Sequence, residues 1–571
     1  MRILHCLTRL SHRSKPAKPL TLAFFTVFLV SCSALTPKSP PCVESAVLYR
    51  LADMRQINES AFNKALTCDN LKTVDFALIN LGRIGGEQAS ELILPSLQHP
   101  KASIRETAAF ALGIGLHKPA TASLIEQLAQ EKDSKARAAL VLAIGNLGGE
   151  QSVPTLARLI EETEDHRVAN AAMQGLGIMS VFHRHLLTGD TEIEVARVIE
   201  RLRNDETALM ASFLLARVSL LRDPHVPDVI ALLKEKHASL DSATQAFVIR
   251  ALSRLGHKDI TPFLWEKVRS ESSAVQIAAA QALGIRTLTS TEQIQALNEL
   301  ALADNPVLQV SVLQSGRRWM TPQTLKTLRE SDNTWVQSEA FLATNDKAQP
   351  NVQKLVKAWL ESDDPNHQRA VIQYFVELNI PPVLKQLAES DKEIIRIGAQ
   401  RALNSYQEPK TEPVKTPTEL PFSVQEWPVL VKIVTTKGDI VIRLFADTPY
   451  TSANFIRLVE SGFYNDTYFH RVIPNFVAQG GSKYGDGSGS VGYSIREELN
   501  QRSHRKGTIG MATAGKDTGG AQFFFNLAPN LHLDSNYTVF GEVVEGMDIV
   551  MSLEQNDQIV RAELSDKTIN K

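Results

Sequence analysis

Two rhythms of apolar positions divide the chain. From about residue 42 to 406, apolar residues recur at the i, i+3, i+4, i+7 spacing of amphipathic helices, as in Ala122-Ser123-Leu124-Ile125-Glu126-Gln127-Leu128-Ala129. Further on, the pattern shortens to β-rich runs. Leu430-Val431-Lys432-Ile433-Val434-Thr435-Thr436, a Lys437-Gly438 turn and Ile440-Val441-Ile442-Arg443-Leu444-Phe445 predict a hairpin. Pro449 and Thr451 then open a helix through Asn454-Phe455-Ile456-Arg457-Leu458-Val459, stopped near Gly462. Between the two regimes, 407–427 is Pro-rich and charged without apolar periodicity, and predicts a semi-extended linker.

The helical part repeats itself. Ala77-Leu78-Ile79-Asn80-Leu81-Gly82 returns as Ala108-Ala109-Phe110-Ala111-Leu112-Gly113, and again in the runs closing at Gly145 and Gly177, so that these glycines stand 31 or 32 residues apart. Each unit is expected to be two short helices that bury their apolar stripes by stacking on neighbours, with alanine where helices approach closely and Gly or Asn as the C-cap of the second helix. About eleven units are expected over 45–406, degraded between 178 and 245 and between 290 and 390. This region resembles the short HEAT-like repeats of phycobilin lyases, in scaffold only. The resemblance implies an all-α solenoid. Its surface either binds a protein partner or serves as a spacer that positions the C-terminal domain.

Length and composition add bounds. At 571 residues the chain exceeds one compact core. Its 43% hydrophobic and 22% charged residues are those of a globular protein. Formal charge is −2, and residues 1–31 carry five basic and no acidic side chains, so their removal leaves −7. Such a chain is a poor nucleic-acid binder.

Those first residues form a leader. Arg2, Arg9, Arg13, Lys15 and Lys18 precede an eleven-residue apolar run, Leu20 to Val30, too short to span a bilayer. Leu29-Val30-Ser31-Cys32 resembles the lipobox of bacterial lipoproteins, which implies lipidation of Cys32 after loss of 1–31, then a spacer to about residue 44. Two or three acyl chains suffice for stable anchoring. Ser33 after the cysteine favours the outer membrane, with the body facing the periplasm. An ordinary signal peptide with an incidental cysteine, or a basic cytoplasmic tail, fits the same residues. Cys42 and Cys68 form a disulfide in an oxidising compartment, or remain two buried thiols; spacing alone leaves both open. No CxxC is present and the histidines are scattered, so no metal site is expected.

The densest chemistry lies at Phe469-His470-Arg471-Val472-Ile473-Pro474-Asn475-Phe476-Val477-Ala478-Gln479-Gly480-Gly481. One arginine and one glutamine sit among apolar residues, which suits an apolar pocket with a few fixed polar groups. This run resembles the signature of the cyclophilin-type peptidyl-prolyl cis/trans isomerases. Gly510-Met511-Ala512-Thr513-Ala514-Gly515, Gln522-Phe523-Phe524 and Leu533-Asp534-Ser535-Asn536-Tyr537-Thr538-Val539-Phe540-Gly541 follow in the family's order. The resemblance covers 428–565 and implies a closed eight-stranded barrel with two helices. Position by position, it implies Arg471 as the catalytic arginine and Gln479 as the residue orienting it. Phe476, Val477, Ala512, Thr513, Gln522, Phe524, His532, Leu533 and Tyr537 become the substrate contacts. Val477 departs from a frequent methionine, Thr513 from the usual asparagine, and Tyr537 from a frequent histidine. His532 stands where many eukaryotic members have tryptophan, which bears on tight cyclosporin binding.

Such chemistry needs no nucleophile, metal or cofactor. Gly487-Ser488-Gly489-Ser490-Val491-Gly492 matches G-x-G-x-x-G but follows polar loop residues, and reads as a flexible loop. The expected function is a lipid-anchored isomerase acting on Pro-containing polypeptides and assisting the folding of exported proteins. The alternative is an envelope interaction scaffold whose C-terminal domain mainly binds Pro-containing partners.

Overall fold

The computed structural model describes residues 42–571 except 188–194, 219–225, 256–259, 345–349, 406–411, 414–427, 483–486, 488–490 and 566–571. The leader, Cys32, most of the Pro-rich linker and much of the glycine-rich run therefore lie outside the described residues. Cys42–Lys571 forms one compact unit.

The helical half is a stack of helix pairs. Among the described residues, eleven inner helices succeed one another: Leu71–Ile84, Ala102–Ile114, Ser134–Leu147, His166–Phe182, Ala208–Arg217, Ser242–Leu255, Ser273–Gly284, Pro306–Gly316, Thr334–Leu342, Pro365–Glu377 and Glu393–Ala402. Each packs against the next inner helix and against the shorter outer helix that precedes it. Asp or Asn side chains start many of them; Asp133, for instance, accepts from the backbone N–H of Lys135 and Ala136.

The repeating glycine has a different job from the expected one. Gly82, Gly113, Gly145 and Gly177 lie inside their helices, not beyond the ends. A Cβ on Gly82 would stand 2.6 Å from the Ala111 carbonyl oxygen, one on Gly113 2.9 Å from Ala143 Cα, and one on Gly145 2.6 Å from Gly175 Cα. The period thus marks close approach of successive inner helices rather than capping. Asn404, with φ of 53° just past the last helix, does fit the capping reading. At the array's other end Cys42 and Cys68 are disulfide-bonded, with Cα atoms 5.7 Å apart.

The C-terminal half is a curled antiparallel sheet. Its strands are β2 (Leu430–Thr435), β3 (Gly438–Leu444), β4 (Thr467–Tyr468), β5 (Arg471–Ile473), β6 (Val477–Gly480), β8 (Thr508–Met511), β9 (Phe523–Asn526), β10 (Val539–Glu545) and β11 (Gln558–Leu564). Two more short strands, β1 (Glu412–Pro413) and β7 (Tyr493–Ser494), pair in parallel apart from it. The nine-stranded order is β4-β11-β2-β3-β10-β8-β9-β6-β5. The expectation of a closed eight-stranded barrel is corrected on both counts, to a nine-stranded half-barrel. The edge strands β4 and β5 are too short to zip the seam, which a lone bridge between Tyr468 and Ser482 crosses. Helices Pro449–Glu460 and Met547–Ser552 accompany the sheet. Inside it, Phe455, Phe469, Phe523, Phe525 and Phe540 form a fully buried aromatic core, with Phe455 and Phe523 edge to face at 5.4 Å.

The array holds this half-barrel, mostly through its inner helices. Contacts run from one end of the array to the other: Arg55 pairs with Asp517, Arg83 donates to the Leu499 carbonyl at 3.2 Å, and Gln174 donates to Asp534 at 2.7 Å. Further along, Arg250 donates to the Asn475 carbonyl at 3.2 Å, and Arg369 to the His470 carbonyl at 3.2 Å. Spacer and partner surface are both incomplete descriptions, because much of the array's inner face is occupied by the chain's own C-terminal domain.

Candidate active site

Register builds the site. Arg471 on β5 faces Gln479 on β6; Gln479 faces Phe524 on β9; Phe524 faces Gly510 on β8. Four directly opposed residues share one face of the sheet. That face is the outer one, since Phe523 and Phe525 point the other way into the core. Val477, Phe524 and Leu533 form a buried apolar cluster there, flanked by the half-buried Phe476, Ala512 and Tyr537. The result is a cup with apolar walls.

One cation stands at its edge. The Arg471 side chain reaches solvent. Its Nη1 donates to Gln479 Oε1 at 3.2 Å, and its guanidinium lies 5.8 Å from the centre of the Phe476 ring. Gln479 Nε2 donates onward to Gln522 Oε1 at 2.9 Å, and Gln522 Nε2 to the Gly487 carbonyl at 2.8 Å. This chain of amides leaves Gln479 one orientation, with its oxygen toward the arginine. Desolvation by the cup walls lowers the Arg471 pKa, with Tyr537 acting in the opposite sense. An arginine remains charged nonetheless.

The floor has close tolerances. A Cβ on Gly510 would lie 2.3 Å from Phe524 Cζ, so the ring occupies the space a side chain would need. On its other face the ring stacks on His504, centroids 5.6 Å apart, and Tyr537 meets it edge-on at 6.1 Å. Ala512 joins the wall and its N–H donates to the Gln522 carbonyl at 2.9 Å. Thr513 is not in the apolar cluster; it lines an adjoining cleft with Arg83, Leu116 and Tyr537. His532 is buried behind the cup, where its ring stacks on Phe476 at 5.7 Å and takes a hydrogen bond from Arg217 at Nδ1, 2.9 Å. Burial, then the positive charge of Arg217, hold the His532 pKa down at about 3, so this histidine is a neutral acceptor at physiological pH. It braces a wall of the cup.

Sequence reasoning brought the cup together but missed its supports. His504 is fully enclosed, donates from Nε2 to the Tyr537 carbonyl at 3.2 Å, and is held neutral by burial, with a pKa near 4. Asp534 accepts from the His504 backbone N–H at 2.7 Å and from Ser503 Oγ at 2.8 Å. Both lie beside motif residues, and an isolated His or Asp carries no sequence signal for such a role. Asn475, in the turn between β5 and β6, has φ of 58°, and its side chain donates to the Ala274 carbonyl of the array at 2.8 Å. Among the described residues no His/Cys/Asp/Glu cluster of metal-binding geometry is found.

Known proteins resemble both parts of the chain in sequence. The family model for cyclophilin type peptidyl-prolyl cis-trans isomerase matches residues 430–570, and that for HEAT repeats matches 90–177, 121–216 and 226–315. A peptidyl-prolyl cis-trans isomerase of Helicobacter pylori is 46% identical over 132 residues, 22% of this chain and 81% of the relative. One of Synechococcus elongatus is 44% identical over 133 residues, 23% of this chain and 92% of the relative. Peptidyl-prolyl cis-trans isomerase B of Bacillus subtilis is 47% identical over 111 residues, 19% of this chain and 78% of the relative. With the arginine-edged cup built by residues 471–537 and relatives 44–47% identical that the chain covers over 78–92% of their length, the chain belongs to the cyclophilin-type peptidyl-prolyl cis-trans isomerase family, carrying that domain at the C-terminal side of a HEAT-repeat array.

Proposed function

We propose that this isomerase rotates X-Pro bonds of exported polypeptides through Arg471, from a lipid anchor at Cys32 in the bacterial envelope. The observation that carries the chemical part is the Arg471 guanidinium, oriented by Gln479 over Phe476 at the lip of the apolar cup. Amide conjugation sets a barrier of about 18–20 kcal/mol. A proline ring seated against Val477, Phe524 and Leu533 is held while the preceding carbonyl swings. Arg471 directs an N–H at the prolyl nitrogen, draws its lone pair out of conjugation, and favours the twisted state over either planar one. Gln522 and the backbone at Ala512 hold the flanking peptide. No proton leaves the substrate, so the neutral His532 and His504 serve only to brace Phe476 and Phe524. The envelope part rests on the leader sequence and on the Leu29-Val30-Ser31-Cys32 run.

The test is turnover of an Ala-Pro peptide by the full chain beside Arg471→Ala, with folding checked by circular dichroism. The expected loss is about 10²-fold in kcat/KM. A folded variant equal to wild type would remove Arg471 from the mechanism. Wild type equal to the uncatalysed rate would leave a scaffold that binds Pro-containing partners. Metabolic labelling with palmitate, lost in Cys32→Ala, tests the anchor; an unlabelled wild-type chain would refute it.

A further inference from the structure

Beside the cup's rim the array carries a groove of about 560 Å³, lined by Ala216, Arg250, Ser253, Gln281 and Ser315 among others. It opens on the inner helices Ala208–Arg217, Ser242–Leu255, Ser273–Gly284 and Pro306–Gly316. Arg250 joins the two sites: it lines the groove, and its Nη2 donates to the carbonyl of Asn475, the residue immediately before Phe476 of the cup wall. Asn475 in turn donates to Ala274 on the next inner helix. Arg217 ends the helix that carries Ala216, and it touches the cup from behind through His532.

Arg254, which also lines the groove, already donates to the Ala216 carbonyl at 3.2 Å, so Arg250 is the lining cation that bears on the cup. Burial pushes Arg250 down to about 10, and burial together with the charges of Arg250 and Arg254 does the same to Arg217. Gln314, another lining residue, does reach an acid, Glu339 on the following helix, at 3.0 Å; burial raises the pKa of that carboxyl toward the neutral form. A guanidinium held out of water, as Arg250 is, gains from an anion brought beside it.

We infer that the groove is a subsite for the client chain, taking an extended segment with an Asp or Glu side chain close to the proline bound in the cup. Arg250 holds the carbonyl of Asn475, which directly precedes Phe476 of the cup wall, so at roughly 3.3–3.6 Å per extended residue the carboxylate is placed a few residues from the proline, and positions two to four are the ones to probe. The inference rests on the isomerase reading and adds a sequence preference to it. It also gives the array a part in substrate choice beyond holding the half-barrel. Serine hydroxyls at Ser253 and Ser315 and the amide of Gln281 supply partners for the client backbone.

The experiment uses the full chain and two sets of Pro-containing peptides, one with Glu and one with Gln at each of positions two to four from the proline on either side. Cis/trans exchange is followed by NMR. The expected kcat/KM is roughly tenfold higher for a Glu peptide at low salt, with the advantage fading at high ionic strength. Arg250→Gln should bring the Glu/Gln ratio close to one. Because that change also loosens a contact with the half-barrel, Gln281→Glu provides the second arm: it places a carboxylate in the groove from the array side and should cut the ratio at least threefold. Equal rates for Glu and Gln peptides, with turnover intact, would overturn the subsite and leave the isomerase standing. No turnover on any peptide would overturn the isomerase reading and the subsite with it. A preference that survives both variants would place the selectivity outside the groove and overturn the assignment. Concentration-dependent self-association that abolishes the preference would give the groove to a second copy, again overturning it.

Discussion

Gly510→Ala tests whether the cup's floor is set by a single missing carbon. Gly510 has no left-handed backbone requirement, so alanine fits its strand and the conflict is steric alone. The new Cβ would stand 2.3, 2.7 and 2.8 Å from three atoms of the Phe524 ring. Ordinary contact begins at 3.4 Å, so the ring must move by about 1 Å. His504 stacks on it at 5.6 Å and is itself enclosed, which blocks simple retreat. Overpacking of this kind costs about 1–3 kcal/mol. The larger effect falls on rate, since displacement of a positioning group by about 1 Å can cost on the order of 10²-fold. The assay pairs urea unfolding with kcat/KM on an Ala-Pro peptide, and includes Gly510→Ala/Phe524→Leu, whose smaller side chain restores room. Stability within about 0.5 kcal/mol of wild type, with kcat/KM within twofold, would show that Phe524 does not form a fixed floor.

Other perturbations probe the supports. Burial raises the Asp534 carboxyl to about 6, so the folded state prefers it protonated; its contribution is fully present below the ordinary carboxylate pKa and is lost as pH rises through about 6. Asp534→Asn should therefore lose stability relative to wild type as pH falls from 7.5 to 4, by about 1–3 kcal/mol in paired denaturant titrations, and a pH-independent difference would refute the assignment. In the array, Gly145→Ala drives a methyl into the backbone at Gly175 and should cost about 1–3 kcal/mol, read as a lower urea midpoint; an unchanged midpoint would mean the helices separate freely. Removing the Cys42–Cys68 bond as Cys42→Ser/Cys68→Ser should cost the first helices about 2–4 kcal/mol, visible as faster amide exchange over Ser45–Asp53, and unchanged exchange would make the bond dispensable.

What the sequence revealed follows from where the determinants are local. Arg471, Phe476, Val477 and Gln479 stand within nine residues of each other on two adjoining strands and the turn between them, so their grouping needs only one hairpin and was readable. Phe524 was readable because alternation separates it from Phe523 and Phe525. The array was readable from its period, yet the reason for its glycines was not: capping and close approach both put glycine near a helix end, and only the neighbour's position distinguishes them. Seam closure depends on two strands of two and three residues, whose pairing no alternation pattern can specify. The docking of the two halves was the least readable. Arg217, Arg250 and Gln174 sit on helices where an isolated polar residue is ordinarily a solvated one, and their partners lie hundreds of positions away.

The grip of Arg55 on Asp517 at one end and Arg369 on His470 at the other alters how the chain must be assembled. A free solenoid behaves like a row of dominoes, each unit answering only to its neighbours. Here the sheet of residues 430–564 is gripped by repeats near both ends of an array that precedes it in the chain. Repeats that share this partner cannot open one by one without breaking their contacts to it, so the sheet couples units that are distant along the array. Truncation at the C-terminal side should therefore do more than abolish turnover, because it removes the body that ties early repeats to late ones.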